Sequence, residues 1–458
     1  MNTTISALRP SGISTDKLHA LVARERALYM QRNPKSQALA TRAGAHLMFG
    51  VPLHWMSDWG TPFALQVASA QGAHLQDVDG HRLADFCLGD TGAMFGHAPA
   101  AVTAALQRQA ALGLTTMLPN EDGAVVAELL AERFGLPQWQ FAMTATDANR
   151  FVLRWMRAAT GRKVLLVFNG CYHGTVSDVF VDLVDGQPVQ RDSLLGQVHD
   201  LTQTTRVVEF NDLAALEAAL APGDVACVLA EPVMTNIGMV LPQPGFWEQA
   251  QALIKKHGAM LVMDETHTIS SGPGGYARAH GLSPDAVVVG KPLGGGMPCA
   301  AYGFSAELAQ RAVQAKRNAP PGHSGIGTTL TANLLAMAAM RATLSELMTA
   351  PTYVPLHALA GVLAQGLQEL LASRHMPWCV TQVGARVEFQ FCPVAPVNGT
   401  QAANAMDAEL EHAIHLYLLN REVLITPFHN MMLICPDTRH DDVARLLQGM
   451  RDFLDECT

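Results

Sequence analysis

Three ionisable residues stand where predicted β-strands end. Each of three apolar runs is predicted to be a buried strand: VACVLA is followed by Glu231, AMLVMD ends in Asp264, and AVVVG is followed by Lys291. Taken singly, such a lysine is most often a solvated loop residue, and each carboxylate could cap a helix or pair with a surface arginine. The carboxyl ends of strands in a doubly wound sheet form one ligand-binding edge, so the three residues are expected to converge on one crevice.

The strand that ends in Asp264 is so apolar that its carboxylate is expected to be partly desolvated. A desolvated carboxylate needs a cation or hydrogen-bond donors to stay ionised, and Lys291 could supply the charge. The same two residue types also serve pyridoxal 5'-phosphate (PLP). A lysine holds PLP as a Schiff base, and an aspartate keeps the ring nitrogen protonated, which makes the ring an electron sink. The pattern therefore favours PLP as cofactor.

A phosphate group would also need a cradle of backbone amides and hydroxyls, which a helix N-terminus provides. The stretch TATD (144–147) precedes a helix predicted from Ala148 to about Ala159. An ordinary N-cap by Thr146 or Asp147 is the alternative interpretation. An aromatic side chain that stacks on a cofactor ring is also expected, and Tyr172 in NGCYHG is placed for it.

The composition restricts the class of protein. Of 458 residues, 49% are hydrophobic and 16% are charged, with a net charge of -9, which argues against a nucleic-acid surface. Eight scattered cysteines without a C-x-x-C pair indicate neither a metal site nor a disulfide framework. No signal-peptide or membrane-spanning pattern is visible. We expect a cytoplasmic enzyme that binds neither nucleic acid nor membrane.

The order of predicted elements indicates an α/β fold. Near-continuous apolar runs alternate with predicted helices over 212–220 and 245–257, which is typical of a mainly parallel, doubly wound sheet covered on both faces. The stretch 72–86 predicts a hairpin with a type I′ turn at Asp79-Gly80. We predict a large domain over 100–345 and a smaller α+β domain built from both chain ends, 1–99 and 346–458.

Several ordered motifs resemble the class III, fold-type I aminotransferases, a family that includes ω-transaminases and glutamate-1-semialdehyde aminomutase. The resemblance runs from about residue 70 to 340. It rests on LQDVDGHRLADF, GAMFGHAPAAV, NGCYHG, AEPV, MDETHT and VVVGKPLGGGMP, in that order.

The resemblance implies that Lys291 and Asp264 are the catalytic pair. Lys291 would form the Schiff base and shuttle a proton, and Asp264 would pair with the pyridinium nitrogen. The resemblance also implies the following cofactor contacts: Ala145, Thr146, Tyr172, Glu231, Asp264, Thr266, His267, Lys291 and Thr329.

Two of these positions depart from the usual family residues, and the alignment of a third is open. Thr266 stands where the family usually has valine, and His267 replaces a Gln or Met near the phenolic oxygen of the cofactor. His267 could donate to that oxygen or only support its neighbours. Thr329 is the best match to the threonine that the family donates from the neighbouring subunit, with Thr328 as its rival. The resemblance thus implies a homodimer with shared active sites.

The substrate pocket also departs from that of amino-acid relatives. The early segment GAHLMFGVPLHW and the late segment TPFHNMM contain no arginine that could bind a substrate carboxylate. Arg386 is the remaining candidate, although Glu388 on the same strand face could simply pair with it. Trp59 and its aromatic neighbours would suit an apolar amine or aromatic amino compound.

The resemblance implies a PLP-dependent aminotransferase that moves an amino group from an amine or amino acid to a keto acid through a pyridoxamine intermediate. An aminomutase or racemase would use the same Lys291 and Asp264, and it is kept as the alternative. A dinucleotide-dependent enzyme is disfavoured, because no strand is followed by G-x-G-x-x-G and a suitably placed acid.

Overall fold

The computed structural model describes residues 8–458. Its α-helices within that range are α1 Thr15–Arg32, α2 Pro34–Ala43, α3 Ala100–Ala110, α4 Glu121–Phe134, α5 Ala145–Thr160, α6 Leu213–Leu220, α7 Phe246–Lys256, α8 Gly275–Ala279, α9 Ala306–Asn318, α10 Leu334–Ala342, α11 Ala350–Ser373, α12 Gly399–Asn404, α13 Ala408–Leu419 and α14 His440–Cys457.

Its strands are β1 Val67–Gln71, β2 His74–Asp77, β3 Arg82–Asp85, β4 Gln138–Ala142, β5 Val164–Phe168, β6 Val181–Val184, β7 Gln187–Gln190, β8 Thr205–Val208, β9 Val225–Ala230, β10 Met260–Asp264, β11 Ala286–Val289, β12 Ala300–Phe304, β13 Cys379–Val383, β14 Arg386–Gln390, β15 Val423–Leu424 and β16 Met431–Leu433. The chain divides into two compact units. One comprises Ala100–Tyr353 with Pro396–Asn404, and the other comprises the remaining described residues.

A seven-stranded sheet forms the core of the Ala100–Tyr353 unit, in the order β4-β12-β11-β10-β9-β5-β8. Strands β8, β5, β9, β10 and β11 run parallel to one another, whereas β12 runs antiparallel to both β11 and β4. Every residue of β9, β10 and β11 is buried, as expected for strands covered on both faces. The prediction of a mainly parallel, doubly wound α/β sheet is confirmed.

One predicted boundary in this unit is wrong. The helix expected from Ala148 begins at Ala145, because the hydroxyl of Thr144 accepts the backbone N–H of Asp147 and so caps the helix. Thr146 and Asp147, the N-cap candidates from the sequence, therefore lie inside the first turn. The edge strand β4 and its neighbour β12 were not predicted; β4 is only partly buried and its sequence carries little apolar signal.

The other unit contains two small sheets, with orders β1-β2-β3-β15 and β13-β14-β16. The predicted hairpin is present as β2 and β3, but its turn is not type I′. Only Gly80 has a positive φ, of 105°, and the turn is held by the carboxylate of Asp77, which accepts the N–H groups of Gly80 and His81.

Within residues 8–458, no single helix has both the length and the apolar composition of a membrane span. The helical segments Leu334–Leu347 and Ala350–Ser373 have that length and composition only when they are taken together, and a 72° bend separates them.

The tight packing around Gly303 in β12 predicts that an added methyl group would destabilise the protein measurably. A Cβ at Gly303 would lie 2.5 Å from the indole carbons of Trp139, whose ring is fixed by a 2.7 Å hydrogen bond to the carbonyl of Leu136. Gly303→Ala is expected to destabilise the protein by about 1–3 kcal/mol through overpacking, seen as a lower melting temperature.

Gly361 in α11 is the matched control. Its nearest neighbour would be 3.8 Å from an added Cβ, so Gly361→Ala should stabilise the helix by about 0.5–1 kcal/mol. A Gly303→Ala protein that melts at or above the wild-type temperature would contradict this account of the sheet.

Candidate active site

Asp264 ends β10 as a buried carboxylate held by three donors. Its Oδ2 accepts from Asn149 Nδ2 at 2.8 Å and lies 3.0 Å from His173 Nδ1, and its Oδ1 accepts the backbone N–H of Thr266 at 3.1 Å. The side chain is only 4% exposed. The sequence predicted this desolvation. It did not identify Asn149, and it gave His173 no role.

Asp264 and His173 stabilise each other's charge. Burial alone would raise the pKa of Asp264, but the hydrogen bond and charge of His173, with the donors Thr266 and Asn149, hold that pKa below its usual value. Burial works against the charged form of His173, but its hydrogen bonds to Asp264 and Cys171 and their charges raise its pKa to about 10. The site therefore offers a carboxylate that stays ionised in an apolar setting.

Lys291 begins a short 3₁₀ turn directly after β11 and its Gly290 link. Its φ of 48° is unusual for a residue with a side chain. Its Nζ lies 2.7 Å from Nε2 of His267, which follows Thr266 on the segment after β10. The predicted strand-end lysine thus meets a histidine from the neighbouring strand end.

The N-terminus of α5 lies against two glycines. A Cβ on Gly174 would come within 2.0 Å of the hydroxyl of Thr146, and one on Gly290 within 2.9 Å of the Cβ of Ala145. Thr146 accepts the backbone N–H of Thr175 at 3.1 Å, which leaves its hydroxyl hydrogen available to donate. Helix N-termini favour anions, so this turn can hold a phosphate group.

Two further buried carboxylates lie at these strand ends. Glu231 accepts from Asn236 at 3.2 Å and from the hydroxyl of Thr235, and burial raises its pKa. Glu265 was not predicted as a functional residue, and burial raises its pKa to about 7. It accepts the N–H groups at the start of α8 and the hydroxyl of Thr268, so it fixes the turn that carries His267.

The other predicted site residues of this unit differ in exposure. Tyr172 is 40% exposed, next to the buried His173. Thr328 and Thr329 lie on an exposed loop, where the hydroxyl of Thr328 is 2.9 Å from that of Thr331. The hydroxyl of Thr266 is buried without a hydrogen-bond partner.

The two predicted substrate residues belong to the other unit. Trp59 stacks on Trp55 with ring centroids 5.9 Å apart. Arg386 is 1% exposed, and its guanidinium donates to the hydroxyl of Thr91 at 2.5 Å. The carboxylate of Glu388 contacts His429 at 3.2 Å. A role for Trp59 or Arg386 in substrate binding stays a prediction.

Known proteins resemble this chain over nearly its whole length. The family model for class III aminotransferases matches residues 55–451. A glutamate-1-semialdehyde 2,1-aminomutase from Sorangium cellulosum is 34% identical, over 92% of this chain and 97% of that protein.

Two solved structures make the likeness more specific. A glutamate-1-semialdehyde aminomutase from Pseudomonas aeruginosa PAO1 is 47% identical, covering 97% of this chain and 99% of its own, with a TM-score of 0.95. A lysine-to-alanine variant of that enzyme has been solved with PMP. A β-phenylalanine aminotransferase from Variovorax paradoxus is 26% identical, over 96% of this chain and 97% of its own, with a TM-score of 0.85.

The charged pair at Asp264 predicts a pH-dependent loss of stability when His173 is replaced. The lowered Asp264 pKa contributes stability that is present above its ordinary value of 3.8 and lost as pH falls through the folded value. The raised His173 pKa contributes stability that is complete below 6.5 and lost as pH rises towards about 10. The free energy of unfolding of His173→Leu should therefore lie furthest below that of wild type between about pH 4 and 6.5, by about 3–5 kcal/mol.

Asn149→Ala is the uncharged control for this prediction. It removes one hydrogen bond to Asp264 and should cost about 1–3 kcal/mol with a much flatter pH dependence between pH 5 and 9. If the free energy of unfolding of His173→Leu lay below that of wild type by the same amount at pH 5 and pH 9, no charged pair would exist.

Proposed function

This chain belongs to the class III aminotransferases, and we propose that within that family it acts as a 2,1-aminomutase on a 2-amino aldehyde of the glutamate 1-semialdehyde type. The observation that carries this proposal is the 47% identity, over nearly the full length of both chains, with the Pseudomonas aeruginosa aminomutase. The identity with the β-phenylalanine aminotransferase is only 26%. The chain is an enzyme of the PLP-dependent class, and the aminotransferase expectation becomes the second candidate.

The residues at the strand ends fit PLP. Asp264 supplies an ionised, buried carboxylate for the ring nitrogen, and Lys291 supplies an amine at the next strand end. The first turn of α5, at Ala145 and Thr146, would hold the phosphate. Gly174 closes this cradle so tightly that a Cβ there would collide with Thr146.

Bound PLP supplies an electron sink for the electrons released when a proton leaves the carbon that carries the amino group. The protein contributes the groups that hold and move charge around it. Asp264 stays ionised because Asn149 and His173 donate to it. Lys291 is the base within the site that would take the proton from one carbon and return it to the neighbouring position.

A specific observation keeps the aminotransferase as a second candidate. Glutamate 1-semialdehyde has a carboxylate, but the early and late segments where relatives place an arginine contain none. Trp55, the last residue of the early segment, stacks on Trp59, and the two rings would suit an aromatic or otherwise apolar β- or ω-amino compound.

The two candidates differ in whether a second substrate is needed. An aminomutase moves the amino group from C2 to C1 of one skeleton, so PLP-loaded or PMP-loaded protein should convert glutamate 1-semialdehyde to 5-amino-4-oxopentanoate with no keto acid present. Mass spectrometry of the product, with ¹⁵N in the substrate, follows the nitrogen. An aminotransferase would release labelled nitrogen to an added keto acid and would accept β-phenylalanine or an apolar amine as donor. Turnover of neither class would contradict both candidates.

Lys291→Ala tests the assignment of the amine. The variant should lack the visible absorbance that PLP gains when it is joined to a lysine, and turnover should fall at least about 10²–10⁴-fold, because the base is lost. Lys256→Ala is the matched control: this lysine lies on α7, 63% exposed, and pairs with Glu217. Wild-type absorbance and turnover in Lys291→Ala would remove Lys291 from the mechanism.

We also propose that the enzyme is a cytoplasmic homodimer in which Thr328 or Thr329 reaches the partner's cofactor. The exposed position of both threonines is compatible with a contact outside their own subunit. The eight cysteines form no disulfides, which suits a reducing compartment. Light scattering on the purified protein, with the Thr328→Ala and Thr329→Ala variants assayed for PLP affinity, tests this proposal.

A further inference from the structure

His267 and Lys291 form a nitrogen–nitrogen contact that the family assignment does not explain. Nζ of Lys291 lies 2.7 Å from Nε2 of His267, and the His267 side chain is 5% exposed. Two nitrogens at this distance attract each other only if a single proton lies between them, because two cations so close would repel each other. One of the pair must therefore act as the acceptor.

We propose that His267 is the base that accepts a proton from Lys291 when this lysine forms its covalent bond to PLP. The aldehyde carbon can be attacked only by a neutral amine, whereas an isolated lysine is protonated at neutral pH, since its ordinary pKa is about 10.4. Imidazole titrates near neutral pH and is the usual proton acceptor in proteins. This inference rests on the PLP dependence of the family and is independent of which amino compound is the substrate.

The proton and bond changes balance. The Lys291 ammonium gives one proton to Nε2 of His267, and the neutral Nζ then forms a bond to the aldehyde carbon. The carbon–oxygen double bond breaks, the two remaining amine hydrogens leave with the oxygen as water, and a carbon–nitrogen double bond remains. His267 releases its proton to solvent. No oxidant or further reactant is needed.

The turn that carries His267 is built to hold the imidazole in place. Glu265, immediately before this turn, is 0% exposed and accepts the N–H groups of Tyr276 and Ala277, so the start of α8 is tied to the end of β10. The backbone N–H of Thr266 is bonded to Asp264. The residue before His267 is thereby fixed relative to Asp264. The backbone that carries the imidazole towards Lys291 is therefore held in place.

The test measures how fast full-length protein freed of PLP forms its bond to added PLP, followed by stopped-flow absorbance with no amino substrate present. His267→Gln can keep a hydrogen bond to Lys291 but cannot take its proton, and we expect the rate at pH 7 to fall at least tenfold. Added imidazole should restore part of the rate in His267→Ala. His280→Gln is the matched control, since His280 is exposed and its ring contacts Tyr276, through the carbonyl and by stacking, and its rate should be unchanged.

The pH profile separates a base from a merely structural histidine. In wild type the rate should level off once His267 is neutral, whereas in His267→Gln it should keep rising with pH over a wider range. The other ionisable side chains at these strand ends are Asp264, Glu265, His173, Glu231 and Tyr172. Glu265 has a pKa of about 7, so Glu265→Gln must also be measured, and the plateau should survive in it.

Each outcome bears on the proposal. A wild-type rate in His267→Gln, or a rate in His267→Ala that imidazole does not raise, would overturn it. A wild-type profile that rises steadily to pH 10 would overturn it even if the variants failed to fold. Because none of these measurements uses an amino substrate, failure of the aminomutase proposal would leave them unaffected, and the reverse also holds.

Discussion

The buried carboxylate of Asp264 ties together three separate parts of the site. An ionised group in an apolar strand end is tolerated only with donors around it, and the donors come from α5, through Asn149, and from the segment after β5, through His173. Asn149 lies one turn beyond Thr146 on α5, and His173 stands between Tyr172 and Gly174. The interactions that keep Asp264 charged therefore also position the phosphate cradle and the candidate stacking ring.

The parallel sheet sets the spacing between the reacting groups. Met263 is in register with Ala230, so the residues that follow them, Asp264 and Glu231, stand at the same level of the sheet edge. Asp264 is in register with Val288 on β11, which places Lys291 three residues beyond that level. From this longer extension, where its backbone is left-handed, Lys291 reaches His267 on the segment that follows Asp264. Strand register, more than any local loop structure, thus determines which side chains share the crevice.

The sequence predicted the central strands and the candidate site residues at their ends because both depend on local patterns. Continuous apolar runs locate β9, β10 and β11 to within one residue, and an ionisable residue at the end of such a run is conspicuous. The partners of Asp264 follow a different rule. Asn149 and His173 are 115 and 91 residues away in the chain, and nothing in their local sequence separates a donor to a buried carboxylate from an ordinary polar residue. The start of α5 was missed for a related reason, since several of its first residues could act as N-cap and only the observed Thr144 contact selects one.

An aminomutase and an aminotransferase differ in how they must bind the part of the substrate that lies away from the amino group. Lys291, Asp264 and the first turn of α5 would serve both reactions equally, because the cofactor sets the proton chemistry. An aminomutase must keep one carbon skeleton bound while nitrogen moves between adjacent carbons, whereas an aminotransferase must release one keto compound and admit another. Holding a glutamate skeleton calls for a donor to its carboxylate, and Arg386 already donates to Thr91 from a position that is 1% exposed. A guanidinium carries five N–H donors, so the bond to Thr91 does not by itself prevent Arg386 from binding a carboxylate, and its burial is what limits access. If this chain is an aminomutase, the group that holds the substrate carboxylate, whether Arg386, a neutral donor or another cation, therefore separates its substrate from the apolar amines that an aminotransferase could use.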